Sequence, residues 1–141
     1  MKYPEYVKKI LNRIEEAGHE AFIVGGALRD MMLGRDSHDY DIATSALPEE
    51  TAEIFSDLHV IKTGLKHGTV TVVIDRHPIE ITTYRVDGDY KDSRHPSGVS
   101  FTRRIEDDLA RRDFTVNAMA YNDKRGLVDL FGGKNDLECQ I

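Results

Sequence analysis

The sequence predicts an α+β fold, in which helices and strands share one domain. Three observations support this prediction. Apolar residues at 7, 10, 11 and 14 follow the spacing of an amphipathic helix. The short apolar run 21–24 ends at two glycines, which is typical of a buried strand. Three further runs, rich in Val, Ile and Thr, predict strands over 59–62, 69–74 and 78–83.

Turn residues and proline predict the elements between these runs. Residues 28–33 are expected to form a short helix closed by Gly34, and residues 39–43 the next strand. Pro48 suits the first position of another helix, and the acidic residues after it favour the same end through the helix dipole. The segment 75–78 predicts a tight hairpin turn between two strands.

The last third of the chain predicts a loop, two helices and a strand. The polar segment 86–100 contains two glycines and a proline, so we expect a loop there. Residues 105–110 and 114–120 are predicted to be helical, and residues 127–131 to form a strand. The sequence reaches Ile141 without the taper into polar residues that is usual at a natural terminus. We therefore expect residues 1–141 to be a single domain of a longer protein.

Composition limits the classes of protein to consider. The chain has 141 residues, 40% of them apolar, and a formal net charge of −6, so an extended nucleic-acid surface is not expected on this domain alone. Cys139 is the single cysteine, which excludes an internal disulfide and fits a reducing cytoplasm. The sequence contains neither a signal peptide nor an apolar run of about 18 residues, so no membrane association is expected.

Asp39 and Asp41 are candidate metal ligands. Side chains alternate along a strand, so both carboxylates are expected on one face, with Tyr40 and Ile42 packing on the other. One or two carboxylates together with substrate phosphates are sufficient to hold Mg²⁺. Taken alone, the Asp-x-Asp triplet is more often the solvated face of an edge strand than a metal site. A metal-dependent phosphohydrolase built on His38 and Asp39 is a further alternative.

Gly25 and Gly26 stand between a predicted strand and a predicted helix. Backbone N–H groups at a helix start can face an anion, and glycine permits its close approach. Arg29 could add a charged hydrogen bond to a phosphate. The alternative is a plain strand–helix turn with a solvated arginine, since glycine pairs are common in turns.

The joint arrangement of these motifs resembles the bacterial-type tRNA nucleotidyltransferase and poly(A) polymerase family, which includes the CCA-adding enzymes. The first part of the resemblance is Gly25-Gly26-x-x-Arg29, followed by Asp39-x-Asp41. Later parts lie in the segments 80–85, 87–96, 106–118 and 129–137. The resemblance covers nearly the whole chain, and the motifs occur in the family's order.

The resemblance implies a polymerase-β-type nucleotidyltransferase fold, with a mixed or largely antiparallel sheet flanked by helices. It implies that two carboxylates bind catalytic Mg²⁺ ions and that a third supports them. It also implies a nucleotide site formed by the glycine turn and by a second basic motif. The implied residues are Asp39, Asp41 and Glu80 for catalysis, and Gly25, Gly26, Arg29, Arg112, Asp113 and Asn117 for the nucleotide.

The implied reaction is attack of a tRNA 3′-hydroxyl on the α-phosphate of CTP or ATP, which adds CMP or AMP and releases pyrophosphate. The resemblance implies that residues 1–141 correspond to the family's head alone, and we expect its neck, body and tail helical domains, which hold the base-selecting residues and most of the RNA contacts, to lie outside them. The isolated head is therefore expected to be weakly active or inactive. His95 stands where relatives often have arginine.

Three alternatives remain at the level of sequence. The first is a poly(A) polymerase, or an enzyme that adds only A or only C. The second is a module that binds a nucleoside triphosphate without chemistry. The third is the metal-dependent phosphohydrolase.

Overall fold

The computed structural model describes residues 3–35, 39–87, 99–110, 118–129 and 132. The helices are α1 (Glu5–Glu16), α2 (Gly25–Met32), α3 (Pro48–Ile54) and α4 (Ile105–Ala110), with one 3₁₀ turn at Leu65–His67. The strands are β1 (Ala21–Val24), β2 (Asp41–Thr44), β3 (His59–Ile61), β4 (Thr69–Ile74), β5 (His77–Thr83), β6 (Arg85–Asp87), β7 (Val99–Phe101), β8 (Met119–Asn122) and β9 (Gly126–Asp129).

A mixed seven-stranded sheet forms the centre of the domain. Its strand order is β3-β4-β5-β2-β1-β8-β9. Strands β2 and β5 pair in parallel, while the other described pairs in this sheet are antiparallel. Strands β6 and β7 form a separate two-stranded sheet. The predicted α+β class, with a largely antiparallel sheet flanked by helices, is confirmed.

The two faces of the sheet carry separate hydrophobic clusters. The first face packs against α1 and α2, and its cluster includes Ile10, Leu28, Ile42 and Ile81. Along α1 the buried residues are those at helical spacing, as the sequence predicts. The second face has a smaller cluster, in which Phe22 and Ala43 pack with residues of α4. This second face carries the candidate site.

Several predicted elements differ from the observed ones at their ends. Helix α2 begins at Gly25, three residues before the predicted start, so both glycines lie in its first turn. Strand β2 begins at Asp41, so Asp39 precedes it. The predicted loop 86–100 begins and ends in paired strands, β6 and β7, and residues 88–98 lie outside the described part of the chain.

The prediction of a helix over 114–120 is wrong at its end. Met119–Asn122 is strand β8, which pairs with β1 on one side and β9 on the other. Met119 and Ala120 are buried there, and this burial between two strands outweighs any local preference for helix. Residues 111–117 lie outside the described part. The last strand begins at Gly126, one residue before its predicted start, and is described to Asp129; residues 130–131 lie outside the described part.

The predicted hairpin turn after β4 is confirmed. Ile74 pairs with His77, which leaves Asp75 and Arg76 as the two loop residues. Both have positive φ, 48° and 67°, as the twist of a two-residue hairpin favours. In the part of the chain that the structure describes, no helix is long and apolar enough to cross a membrane.

Candidate active site

The site begins where β1 passes directly into α2. Val24 is the N-cap of the helix and has an extended backbone, and its apolar side chain makes no capping hydrogen bond. The N–H groups of a first helical turn lack partners within the helix and attract anions. Gly25 has a φ of +75°, a backbone conformation that strongly favours glycine. The glycine therefore lets the chain turn sharply from strand to helix.

Gly25 lies directly against Asp41. A Cβ atom added to Gly25 would stand 3.4 Å from Asp41 Oδ2. The contact follows from strand pairing, since Val24 is the register partner of Asp41 across β1 and β2. The helix start and the carboxylate are thus neighbours, although the sequence separates them.

Arg29 places its guanidinium beside the same turn. Its Nη2 atom lies 3.6 Å from the position of a Cβ on Gly26. No ion pair joins Arg29 to another residue in the described part of the chain. A half-buried cation at an uncapped helix start is suited to a phosphate.

Asp41 lies on the side of β2 opposite to the first cluster. Tyr40 and Ile42 are both buried in that cluster, as the alternation of side chains predicts. Asp39 is exposed and Asp41 is half-buried. Asp39 precedes the strand rather than belonging to it.

Glu80 stands beside Asp41 in the sheet. The two residues are register partners in the parallel pairing of β2 and β5. Adjacent strands lie about 4.8 Å apart, and register partners project from the same face. Glu80 is exposed on that face. The structure thus brings Glu80 to the aspartates from a distant point in the sequence.

The donor set fits a divalent cation that completes its coordination with substrate. Carboxylate oxygens are the ligands that hard divalent cations prefer. Among the described residues, no group of three or more His, Cys, Asp or Glu side chains is gathered closely enough to hold a metal by itself. Asp39, Asp41 and Glu80 would therefore have to share a cation with phosphate oxygens or water.

The second basic motif cannot be placed. Arg112, Asp113 and Asn117 lie outside the described residues, and so does His95. Their predicted nucleotide contacts remain predictions. The acidic residues just before this motif are described, and they have structural partners. Glu106 lies 3.4 Å from Arg125, and its own backbone N–H and Arg125 hold the pKa of Glu106 below its usual range.

Two supporting residues were not singled out for these contacts by sequence reasoning. Asp108 is buried and accepts a hydrogen bond from the backbone N–H of Arg85 at 2.9 Å, which ties α4 to β6. Thr44 is also buried, and its hydroxyl donates to the carbonyl of Glu20 at 2.6 Å. A buried polar side chain usually has such a partner, but the partner itself depends on the fold.

Comparison with known proteins agrees with this geometry. Residues 21–141 match the sequence model of the poly A polymerase head domain family. The chain belongs to this family. A CCA-adding enzyme of Streptococcus suis is 54% identical over 129 residues, which is 92% of this chain and 32% of that protein. A CCA-adding enzyme of Geobacillus kaustophilus is 48% identical over 142 residues, 100% of this chain and 35% of that protein.

Solved structures of the family share the fold. The crystal structure of the Bacillus stearothermophilus CCA-adding enzyme in complex with CTP matches with a TM-score of 0.85 and 42% identity, over 98% of this chain and 32% of that one. The Thermotoga maritima CCA-adding enzyme complexed with tRNA matches with a TM-score of 0.71 and 30% identity, over 97% and 32%. The polymerase-β-type fold implied by the sequence is confirmed. Nucleotidyltransferases of this family generally use a divalent metal.

The chain spans about a third of the length of the curated relatives that it matches. The matched family model is that of the head domain.

Proposed function

We propose that this chain is the catalytic head of a tRNA nucleotidyltransferase, which adds CMP and AMP from CTP and ATP to the 3′ end of tRNA. The observation that supports this best is the contact between the helix start and a carboxylate. A Cβ atom placed on Gly25 would lie 3.4 Å from Asp41 Oδ2. A triphosphate bound at the helix start would therefore lie beside the carboxylate that holds its cation.

The residues of the site have separate roles in this proposal. The first turn of α2 and Arg29 bind and orient the triphosphate, which fixes the α-phosphate for attack. Asp39 and Asp41 would hold the cation, and Glu80 would support it from β5. Arg112 contacts the nucleotide, with Asp113 and Asn117 near its ribose. The chain supplies positioning and fixed charge rather than a covalent intermediate.

We propose Mg²⁺ as the metal, because it accepts a few carboxylates and completes its coordination with phosphates and water. When bound, the cation would neutralise charge on the phosphates and lower the pKa of the attacking 3′-hydroxyl. The carboxylates keep that position negative before substrate arrives.

The relatives support a proposal for the substrates and the domain organisation of this protein. Solved relatives contain CTP, an ATP analogue with a primer tRNA, or tRNA. We propose the same substrates here, with most of the RNA and the base choice handled by residues beyond this head. Residues 1–141 would then form a single catalytic domain, and we propose a cytoplasmic location, which a tRNA substrate favours.

An incorporation assay tests the proposal. The full-length protein is incubated with labelled CTP or ATP and tRNAs that lack one, two or three terminal nucleotides. We expect CMP addition to the two shorter tRNAs and AMP addition to the tRNA that lacks its last nucleotide. Release of free nucleoside monophosphate without RNA extension would instead identify a phosphohydrolase.

A second candidate is poly(A) addition, which the name of the matching family favours. Long A tails on a tRNA or an unrelated RNA in the same assay would identify it. An enzyme that adds only A would extend only the tRNA that lacks its last nucleotide, and one that adds only C would extend only the two shorter tRNAs. Nucleotide binding without any extension would identify a non-catalytic module.

A further inference from the structure

The second face of the sheet is divided into a covered half and an open half. One row of register partners crosses it, consisting of Ile61, Thr71, Glu80, Asp41, Val24, Ala120 and Val128. Val24, Ala120 and Val128 are buried and pack with Ile105 and Leu109 of α4. From Asp41 to Ile61 the same row is half-buried or exposed. The boundary falls between Val24 and Asp41, at the candidate site.

The open half is polar, unlike the opposite face of the same strands. Thr69, Thr71 and Thr82 project from it beside Glu80, and all three threonines are half-buried. Their neighbours on the first face are the buried residues Val70, Val72 and Ile81. We call Ile61, Thr69, Thr71, Glu80 and Thr82 the open face. It belongs to a packed sheet, yet hydroxyls and a carboxylate make up most of it.

Thr71 differs from the other two threonines of the open face. The hydroxyls of Thr69 and Thr82 lie 2.9 Å apart and hydrogen-bond each other. Within the described residues the Thr71 hydroxyl has no hydrogen-bond partner. Register places Thr71 next to Glu80 and two strands from Asp41, a distance of about 10 Å. Its hydroxyl is therefore available to a ligand that approaches the carboxylates.

The direction from which the hydroxyl attacks the phosphorus indicates which ligand approaches the open face. Phosphoryl transfer places the attacking and leaving oxygens roughly in line with the phosphorus. In the proposed function, the triphosphate lies at Gly25 and Arg29, on the β1 side of Asp41. The attacking hydroxyl must then arrive from the opposite side, which is over β5 and β4. The open face lies under that approach.

We propose that the open face is the seat of the RNA 3′ end, and that Thr71 is a positioning residue that hydrogen-bonds the ribose–phosphate backbone of the terminal nucleotides. Hydroxyl donors commonly contact phosphate and sugar oxygens, and such contacts fix register without selecting sequence. Ile61 lies one strand beyond Thr71 and marks the outer end of the seat. This inference rests on the proposed function, because the side of the triphosphate defines the side of the RNA.

Binding measurements on the full-length protein test the inference. The probe is a labelled tRNA that lacks its last nucleotide and ends in a 3′-deoxy residue, so that it cannot be extended. Thr71→Val keeps the branched shape of the side chain and removes its hydroxyl. Its matched control is Thr51→Val, because Thr51 is buried under the opposite face and its hydroxyl has no hydrogen-bond partner among the described residues. We expect Thr71→Val to weaken RNA binding by about three- to tenfold, and Thr51→Val to leave it unchanged.

A charge introduced at Ile61 tests the open face independently of Thr71. Ile61→Glu should weaken RNA binding and Ile61→Lys should strengthen it, with the difference shrinking as salt rises. Ser56→Glu, at an exposed position at the end of α3, is the matched control and should have no effect. None of these variants should change the affinity for CTP or ATP by more than about twofold. Thermal unfolding confirms that each variant is folded.

The outcomes separate this inference from the proposed function. If Thr71→Val and Ile61→Glu both bind RNA as tightly as their controls, the open face does not bind the RNA 3′ end. Equal weakening by Ile61→Glu and Ile61→Lys would show a packing effect and would also overturn this inference. Loss of triphosphate affinity in Thr71→Val, with RNA affinity intact, would assign the open face to the nucleotide instead. If the unmodified protein fails to extend tRNA while these RNA effects appear, the proposed function fails, while contact between the open face and RNA is supported.

Discussion

Asp41 and Glu80 stand side by side because β2 and β5 pair in parallel, with these two residues in register. Glu80 is exposed on the same face, so its carboxylate can reach a cation held by Asp41. The parallel pair lies in the middle of the sheet, where strands on both sides fix its position. The relationship gives Glu80 a role that can be measured.

Glu80→Gln removes the charge and keeps the size of the side chain. If Glu80 supports the cation, we expect the rate of nucleotide addition to fall by about tenfold or more and the Mg²⁺ concentration for half-maximal rate to rise. The measurement is the rate as a function of Mg²⁺ concentration. Glu53→Gln, on the exposed side of α3, is the matched control. An unchanged Mg²⁺ dependence in Glu80→Gln would remove Glu80 from the site.

Gly25→Ala tests the turn at the helix start. Gly25 and Gly18 both have positive φ, +75° and +92°, so alanine at either position should cost about 1 kcal/mol of unfolding free energy. The methyl group of Gly25→Ala would contact Asp41 Oδ2, whereas that of Gly18→Ala would have nothing within 4 Å. We therefore expect similar losses of stability but weaker ATP binding only in Gly25→Ala. Calorimetric titration with ATP and urea unfolding check the two parts, and equal ATP affinities would contradict the role of Gly25.

The ion pair between Arg13 and Asp57 predicts an acid-dependent part of the stability. Arg13 Nη2 lies 2.6 Å from Asp57 Oδ1, and this hydrogen bond lowers the pKa of Asp57 below its usual value. A carboxyl whose folded pKa is lowered stabilises the fold above its unfolded pKa and loses that effect as the pH falls through the folded value. We expect the difference in urea midpoint between the unmodified protein and Asp57→Asn to shrink from about pH 6 to about pH 3. A constant difference would show that the pair contributes no pH dependence.

Arg76→Gly should stabilise the domain. Arg76 has a φ of 67° at the second position of a two-residue hairpin loop, where glycine is the favoured residue. We expect the unfolding free energy to rise by up to about 1 kcal/mol, measured by urea denaturation. Arg76→Ala, which keeps the strained backbone, should show no gain. Equal effects of the two substitutions would indicate a cause other than backbone conformation.

Local sequence patterns predicted the parts of the fold in which neighbours in sequence determine the structure. The apolar spacing of α1, the Val, Ile and Thr content of β4 and the turn at Asp75 and Arg76 are of this kind. The placement of Asp41 and Ile42 on opposite faces of β2 also follows from alternation alone.

The parts that local pattern missed depend on distant partners. Glycine has a poor intrinsic preference for helix. Helix α2 nevertheless begins at Gly25, because β1 ends at Val24 and fixes the position from which the chain continues. Met119–Asn122 is a strand because β1 and β9 flank it. The side-by-side placement of Asp41 and Glu80 could be inferred from resemblance to a family, but not from spacing, since register between distant strands is a tertiary property.

The most direct test of the central claim is the incorporation of labelled CMP and AMP into tRNA by the full-length protein carrying Asp41→Asn. The substitution is close to isosteric and removes the charge beside Gly25. We expect incorporation to fall by at least about a hundredfold. Asp75→Asn, at the exposed hairpin turn, is the matched control and should retain the normal rate, with both variants showing the same unfolding transition. Incorporation by Asp41→Asn at the rate of this control would contradict the assignment of a metal-dependent nucleotidyl transfer site to this face of the sheet.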